Sequence, residues 1–113
     1  VHEYGIAASL LRMVATRARD AGAERVTRVE IRVGAASGVE TELLETAWEG
    51  IRTGTLCADA RLLIHTPPAV WRCALCRTRI AEQSPLRCPT CDHPAVLDGG
   101  DDLLLERFDI ERG

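Results

Sequence analysis

Four cysteines late in the chain limit its folding options more than any other feature. Cys73 and Cys76 form one C-x2-C pair, Cys88 and Cys91 a second, and together they read C-x2-C-x11-C-x2-C. Two residues between cysteines let both thiolates meet one metal ion across a tight turn. Two such turns supply four sulfurs in a tetrahedron, which suits Zn2+, an ion with no geometric preference of its own. Iron in a rubredoxin-like site is the alternative at the same spacing. A redox C-x-x-C opens a helix beside a strand, and neither pair here reads that way. The stretch around the motif carries Pro85, Pro89 and Pro94 and too little apolar surface for a core. Its folding free energy must therefore come from the metal, roughly 10–16 kcal/mol for structural zinc in small peptides. Four thiolates leave no coordination position for water or substrate, so the expected role is structural. His93, two residues past Cys91, is a candidate replacement ligand; the plainer expectation is an exposed side chain. Cys57, the fifth cysteine, reads as a small buried hydrophobe.

Outside this insert the apolar periodicity is regular. From Ile6, apolar residues recur at helical spacing through Leu10, Met13, Val14, Ala18 and Ala21, and Gly22 stands where a left-handed stop is expected. In V-T-R-V-E-I-R-V, Val29, Ile31 and Val33 alternate with charged residues, predicting a half-buried strand. S-G-V-E reads as a capping box, with Ser37 as N-cap and Glu40 reaching back. A second helix carrying Leu44, Ala47, Trp48 and Ile51 follows, with Gly54 beyond its end. A-R-L-L-I-H-T is a second strand, stopped by Pro67-Pro68. D-L-L-L-E-R-F-D-I is a third, with Leu104, Phe108 and Ile110 expected on one face.

The expected fold class is α+β: two helices packed on a three-stranded β-sheet, with an inserted zinc-ribbon-like four-cysteine subdomain. The last strand must return from the insert to the main sheet. The expected division is therefore a discontinuous α+β domain, residues 1–66 with 101–113, and a zinc-binding subdomain, residues 67–100. Pro67-Pro68 and Gly99-Gly100 flank the insert as a possible pivot.

Charge narrows the function. The chain has 113 residues, a net charge of −3, and only arginine among its 14 basic residues. The arginines are interleaved with acids, giving a mixed surface and no basic stripe for nucleic acid. No apolar run approaches membrane-spanning length, and the start lacks the features of a signal peptide. The expected location is the cytoplasm, where clustered cysteines serve metals before disulfides.

The chain opens V-H-E-Y-G-I-A, directly ahead of the first helical run. A histidine at position two allows a chelate that internal histidines cannot form. The amine of Val1, the deprotonated amide nitrogen of His2 and its imidazole make fused rings on one ion, and the amide of Glu3 completes a square plane. Planar nitrogen donors suit Ni2+ or Cu2+. The alternative is that His2 and Glu3 are lead-in residues, with Glu3 favouring a helix N-terminus. His65, alone in a strand, reads as structural.

H-E-Y-G-I-A at the start, V-G-A-A-S-G-V-E-T-E-L-L-E-T-A-W in the middle and the paired cysteine knuckles resemble HypA/HybF, the hydrogenase nickel-incorporation proteins. The resemblance spans essentially the whole chain. It implies a nickel metallochaperone for [NiFe]-hydrogenase maturation, with no catalysis of its own. It also implies nickel held by the amine of Val1, the imidazole of His2 and the backbone amides of His2 and Glu3. A structural zinc would sit at Cys73, Cys76, Cys88 and Cys91. The implied partners are a HypB-type nickel GTPase, the hydrogenase large-subunit precursor and, in some organisms, urease maturation proteins. Where the family begins Met-His-Glu this chain begins Val-His-Glu, and either residue supplies the amine. Glu40 matches an acidic position of the family and is a further candidate for the nickel. The rival reading is a zinc-ribbon protein-interaction module without nickel, in which His2 is dispensable. An enzyme would need an exposed low-pKa thiol or an open zinc position; no constellation of Ser, His and acid at plausible spacing appears, and the motif fills all four zinc positions.

Overall fold

In the computed structural model, which describes residues 2–82 and 85–113, the first helix begins at once: α1 spans Glu3–Asp20. Its buried stripe is Ala7, Leu10, Val14, Ala15 and Ala18. Gly22 takes φ +75°, and the amides of Ala23 and Gly22 return to the carbonyls of Ala18 (2.9 Å) and Arg19 (2.9 Å). This is the paired closure that a left-handed glycine permits, and it satisfies carbonyls the helix leaves open. Met13, which shares the helical spacing, is 36% exposed, because the buried stripe passes to one side of it.

β1 (Arg25–Val33) follows, then α2 (Thr41–Ile51) and β2 (Arg61–His65). Parallel pairing of β1 with β2 requires a crossover, and α2 provides it. β6 (Leu103–Glu111) pairs with β1 on the other side, antiparallel, giving the order β2-β1-β6. α1 packs on α2 and reaches β1 and β6, while α2 covers β2. Val26, Val29, Ile31, Val33, Leu44 and Trp48 are fully buried between these layers. The Trp48 indole N–H donates to the Ala60 carbonyl at 3.1 Å, so its one polar atom is satisfied there.

Two expectations change here. Ser37 is not the N-cap of α2: its Oγ accepts from the Val39 amide at 3.2 Å, closing a local turn, and Gly38 at φ +80° carries the chain onward. The helix starts three residues later than expected, with Glu40 as its N-cap and no bond from the Glu40 side chain. Leu104 is not on the inner face either. Arg107 pairs with Glu30 but Leu105 with Ile31, so Glu106 is an extra residue in β6. That bulge reverses the alternation: Leu103, Leu105, Phe108 and Ile110 pack on the core, and Leu104 turns outward.

β3 (Val70–Cys73), β4 (Arg79–Ile80) and β5 (Ala95–Gly99) make a second antiparallel sheet, order β4-β3-β5. Its core is small, with Cys73, Ile80 and Cys88 buried and Trp71, Cys91 and Ala95 packed on them. Both connections to this sheet run past the turn after β1. Gly34, Ala35 and Ala36 donate their amides to the carbonyls of Asp102 (2.8 Å), Pro67 (2.9 Å) and Gly100 (2.7 Å). The molecule measures 60 × 24 × 17 Å. Among the described residues no helix is long and apolar enough to cross a membrane.

Candidate metal centres

The cysteine pairs occupy two turns of the same construction. Cys73 ends β3, and its sulfur accepts from the amides of Leu75 (3.3 Å) and Cys76 (3.4 Å). Cys88 accepts likewise from the amide of Cys91 at 3.4 Å. One residue past each pair the backbone turns left-handed, at Arg77 (φ 65°) and Asp92 (φ 55°). Their amides return to the carbonyls of Cys73 (3.1 Å) and Cys88 (2.9 Å). Aspartate tolerates that conformation, whereas arginine has no such preference. Arg77 is held there from outside: its guanidinium meets Asp98 at 2.9 Å, and Arg72 donates to its carbonyl at 3.2 Å.

These turns bring Cys73, Cys76, Cys88 and Cys91 together, with all four sulfurs within 4.8 Å of one another. The sulfurs of Cys76 and Cys88 are 3.7 Å apart. A tetrahedron with metal–sulfur bonds of about 2.3 Å has edges of about 3.8 Å, so the donors fit an ion of zinc's size. The proton affinities fit as well. Thr78, whose hydroxyl lies 3.1 Å from the Cys76 sulfur, helps pull that thiol down to about 6. Cys91, hydrogen-bonded to Cys76 and crowded by its charge, is pushed up to about 12. Clustered thiols oppose one another's ionisation, and a cation among them removes that opposition. The backbone donors already aimed at Cys73 and Cys88 would stabilise the anions further.

His93 stands outside the sulfur cluster, its Nδ1 2.9 Å from the Cys91 carbonyl. Cys57 is fully buried and its thiol is pushed up to about 11 by that burial, as an inert apolar residue should be. His65 is not isolated: its Nε2 lies 3.1 Å from Glu30, a carboxylate also met by Arg107 at 3.2 Å.

At the other end, His2 is the N-cap residue of α1, and its carbonyl accepts the first helical bond, from Ile6 at 3.1 Å. Its side chain is exposed and borders an open apolar groove of about 530 Å³ formed with Gly5, Ile6, Met13, Leu103 and Leu105. Val1, whose amine the sequence singles out, lies outside the described residues. Glu3 behaves differently from His2. Its Oε2 accepts from the Glu40 amide at 3.1 Å, joining the start of α1 to the start of α2. That amide and Glu3's own backbone N–H hold the carboxyl below its usual range. The contact links residues 37 apart in sequence, and no local pattern announces it. Glu40 is thus brought beside Glu3 through its backbone.

The whole-chain comparisons agree with one another. The family described as "Hydrogenase/urease nickel incorporation, metallochaperone, hypA" matches residues 1–110. Hydrogenase maturation factor HypA of Shewanella oneidensis is 36% identical, covering 99% of this chain and 97% of that protein. The protein of that name from Wolinella succinogenes is 33% identical, with 98% and 96% covered. The solution structure of the Ni metallochaperone HypA from Helicobacter pylori superposes with a TM-score of 0.71 at 23% identity, over 100% of both chains. A second HypA solution structure gives 0.78 at 22% identity, over 99% of this chain and 98% of that one. At those identities the structures speak for the fold, which is the same. On the match through residues 1–110 and the near full-length identity to its relatives, the chain belongs to the HypA family of hydrogenase/urease nickel-incorporation metallochaperones.

Proposed function

We propose that this chain binds Ni2+ at its N-terminus and delivers it during [NiFe]-hydrogenase maturation, with a structural Zn2+ at Cys73, Cys76, Cys88 and Cys91. The proposed nickel donors are the amine of Val1, the imidazole of His2 and the backbone amides of His2 and Glu3. One observation carries this reading: His2 and Glu3 stand at the mouth of α1, ahead of its first hydrogen-bonded amide, that of Ile6. The first N–H groups of a helix have no intrahelical acceptor. Two amides can therefore exchange their protons for a metal without breaking a turn of helix. Such a site favours the planar nitrogen coordination of Ni2+ over tetrahedral Zn2+, which the sulfur cluster suits instead.

An exposed site fits a carrier, because an incoming thiolate or imidazole can displace its donors one at a time. Proton uptake by the amide nitrogens accompanies release, so acid should favour it. The family is one of metallochaperones rather than enzymes, and the proposed role is carriage without catalysis. The proposed division is a nickel-binding domain of residues 1–66 and 101–113 and a zinc-binding subdomain of residues 67–100. A HypB-type nickel GTPase and the hydrogenase large-subunit precursor are the proposed partners, with urease maturation proteins where urease is the client. The proposed setting is the cytoplasm, where thiolates stay reduced.

Calorimetric titration of Ni2+ into zinc-loaded, untagged protein tests the reading. One ion per chain is expected, with binding lost in His2→Ala and in a chain extended by one residue before Val1. Unchanged binding in both variants would return His2 and Glu3 to lead-in residues and favour the zinc-ribbon interaction module.

A further inference from the structure

The two side chains at the mouth of α1 do different work. His2 borders the groove along α1 and β6. Glu3 instead reaches across to the lead-in of α2, where its carboxylate accepts from the Glu40 amide at 3.1 Å. That amide belongs to an N-cap residue with no side-chain capping bond of its own. The segment leading to it is also fixed: the Ser37 hydroxyl takes the Val39 amide, and residues 34–36 bond to the strand connections. Glu3 thus ties the first turn of α1 to a part of the molecule that is held on several sides.

We infer that Glu3 is the positioning residue of the nickel site: its carboxylate, bonded to the Glu40 amide, holds His2 and the Glu3 amide in place and is not itself a nickel ligand. The inference rests on the terminal nickel reading above. The Glu3 carboxylate is turned to the start of α2, whereas the groove that the His2 side chain borders is not lined by Glu3. Engaged, it fixes the first turn of α1, which carries the amides of His2 and Glu3, so that less freedom is left for a chelate to freeze. Hydrogen-bonding partners that hold metal ligands in this way typically change affinity roughly ten- to a hundredfold.

The test compares Glu3→Gln and Glu3→Ala in the zinc-loaded full-length chain, by nickel calorimetry, by the visible d–d band of the nickel complex, and by exchange of the Glu40 amide without nickel. Glutamine keeps an oxygen acceptor, so Glu3→Gln should bind nickel within about threefold of the parent, against a roughly ten- to hundredfold loss in Glu3→Ala. Both should keep the parent's band, because the nitrogen donors are untouched. Before any nickel is added, Glu3→Ala should also speed exchange at Glu40. A moved band with equal losses in both variants would make the carboxylate a ligand and overturn the inference. So would unchanged affinity in Glu3→Ala. If the parent itself takes up no nickel, the positioning role falls with the nickel reading. Protection at Glu40 would still report separately whether the clamp exists.

Discussion

Trp48 illustrates how one buried side chain can be divided into packing and polar parts. It is fully buried, and its indole N–H shares the Ala60 carbonyl with Arg52, which donates to the same oxygen at 2.8 Å. Trp48→Ala should cost about 3–5 kcal/mol, the range for removing a buried aromatic. Trp48→Phe keeps most of the packing and leaves the Ala60 carbonyl satisfied by Arg52, so about 1–2 kcal/mol is expected. Chemical denaturation of the two variants measures both. Glu30 supplies a pH-dependent term. Hydrogen bonding to His65, then the charges of Arg28 and Arg107, hold its carboxyl below the ordinary value of 4.5. Because the folded value is lowered, its contribution is present above pH 4.5 and is lost as pH falls through that lowered value. The melting-temperature gap between the parent and Glu30→Gln should be widest near neutrality and close in acid. A gap independent of pH would mean that the Glu30 interactions do not depend on its charge.

At the scale of elements, the zinc-binding region should be separable by its metal. Cys73, Ile80 and Cys88 are the buried residues of its core, too few to hold β3, β4 and β5 together. A strong chelator, or Cys73→Ser, should expose amides of β3 and β5 to exchange while α1, α2 and β1 stay protected, with the helical circular dichroism largely unchanged. Protection persisting in β3 and β5 would mean that the second sheet folds without metal. The same contrast explains what the sequence made legible. α1, β1 and β2 announce themselves because their patterns are local, and the cysteine spacing does so because each metal turn is only a few residues long. The phase of β6 is not local. The extra Glu106 is defined by pairing with β1, seventy-odd residues earlier, so alternation alone put Leu104 inside. Ser37 has two nearby amides to choose from, and bonding within its own turn won over capping. The Glu3–Glu40 contact depends on how α1 meets α2, which neither residue's neighbours encode.

Across the whole molecule, the junction between the sheets is built from backbone rather than side chains. Pro67-Pro68 and Gly99-Gly100 read in sequence as a pivot, yet the turn at 34–36 bonds to both connections. Glycine at two positions makes this approach possible. A Cβ on Gly34 would fall 2.1 Å from the Gly100 carbonyl oxygen, and one on Gly100, itself at φ +79°, 2.2 Å from that of Pro68. Neither obstacle is a flexible side-chain end, so an added methyl can be relieved only by moving one strand of the junction. Gly34→Ala should therefore loosen the junction without touching either metal site. The measurement is backbone 15N relaxation with zinc bound. In the parent, amides of β1 and of β3 should report one anisotropic tumbling, as a rigid body of 60 × 24 × 17 Å requires. In Gly34→Ala the amides of β3 and β5 should show a shorter apparent correlation time than those of β1, with one zinc per chain. A single correlation time in the variant would place the stiffness elsewhere. A fall in nickel affinity in the same variant would mean that the junction supports the Glu40 end of the Glu3 bond, since residues 37–39 alone separate the two.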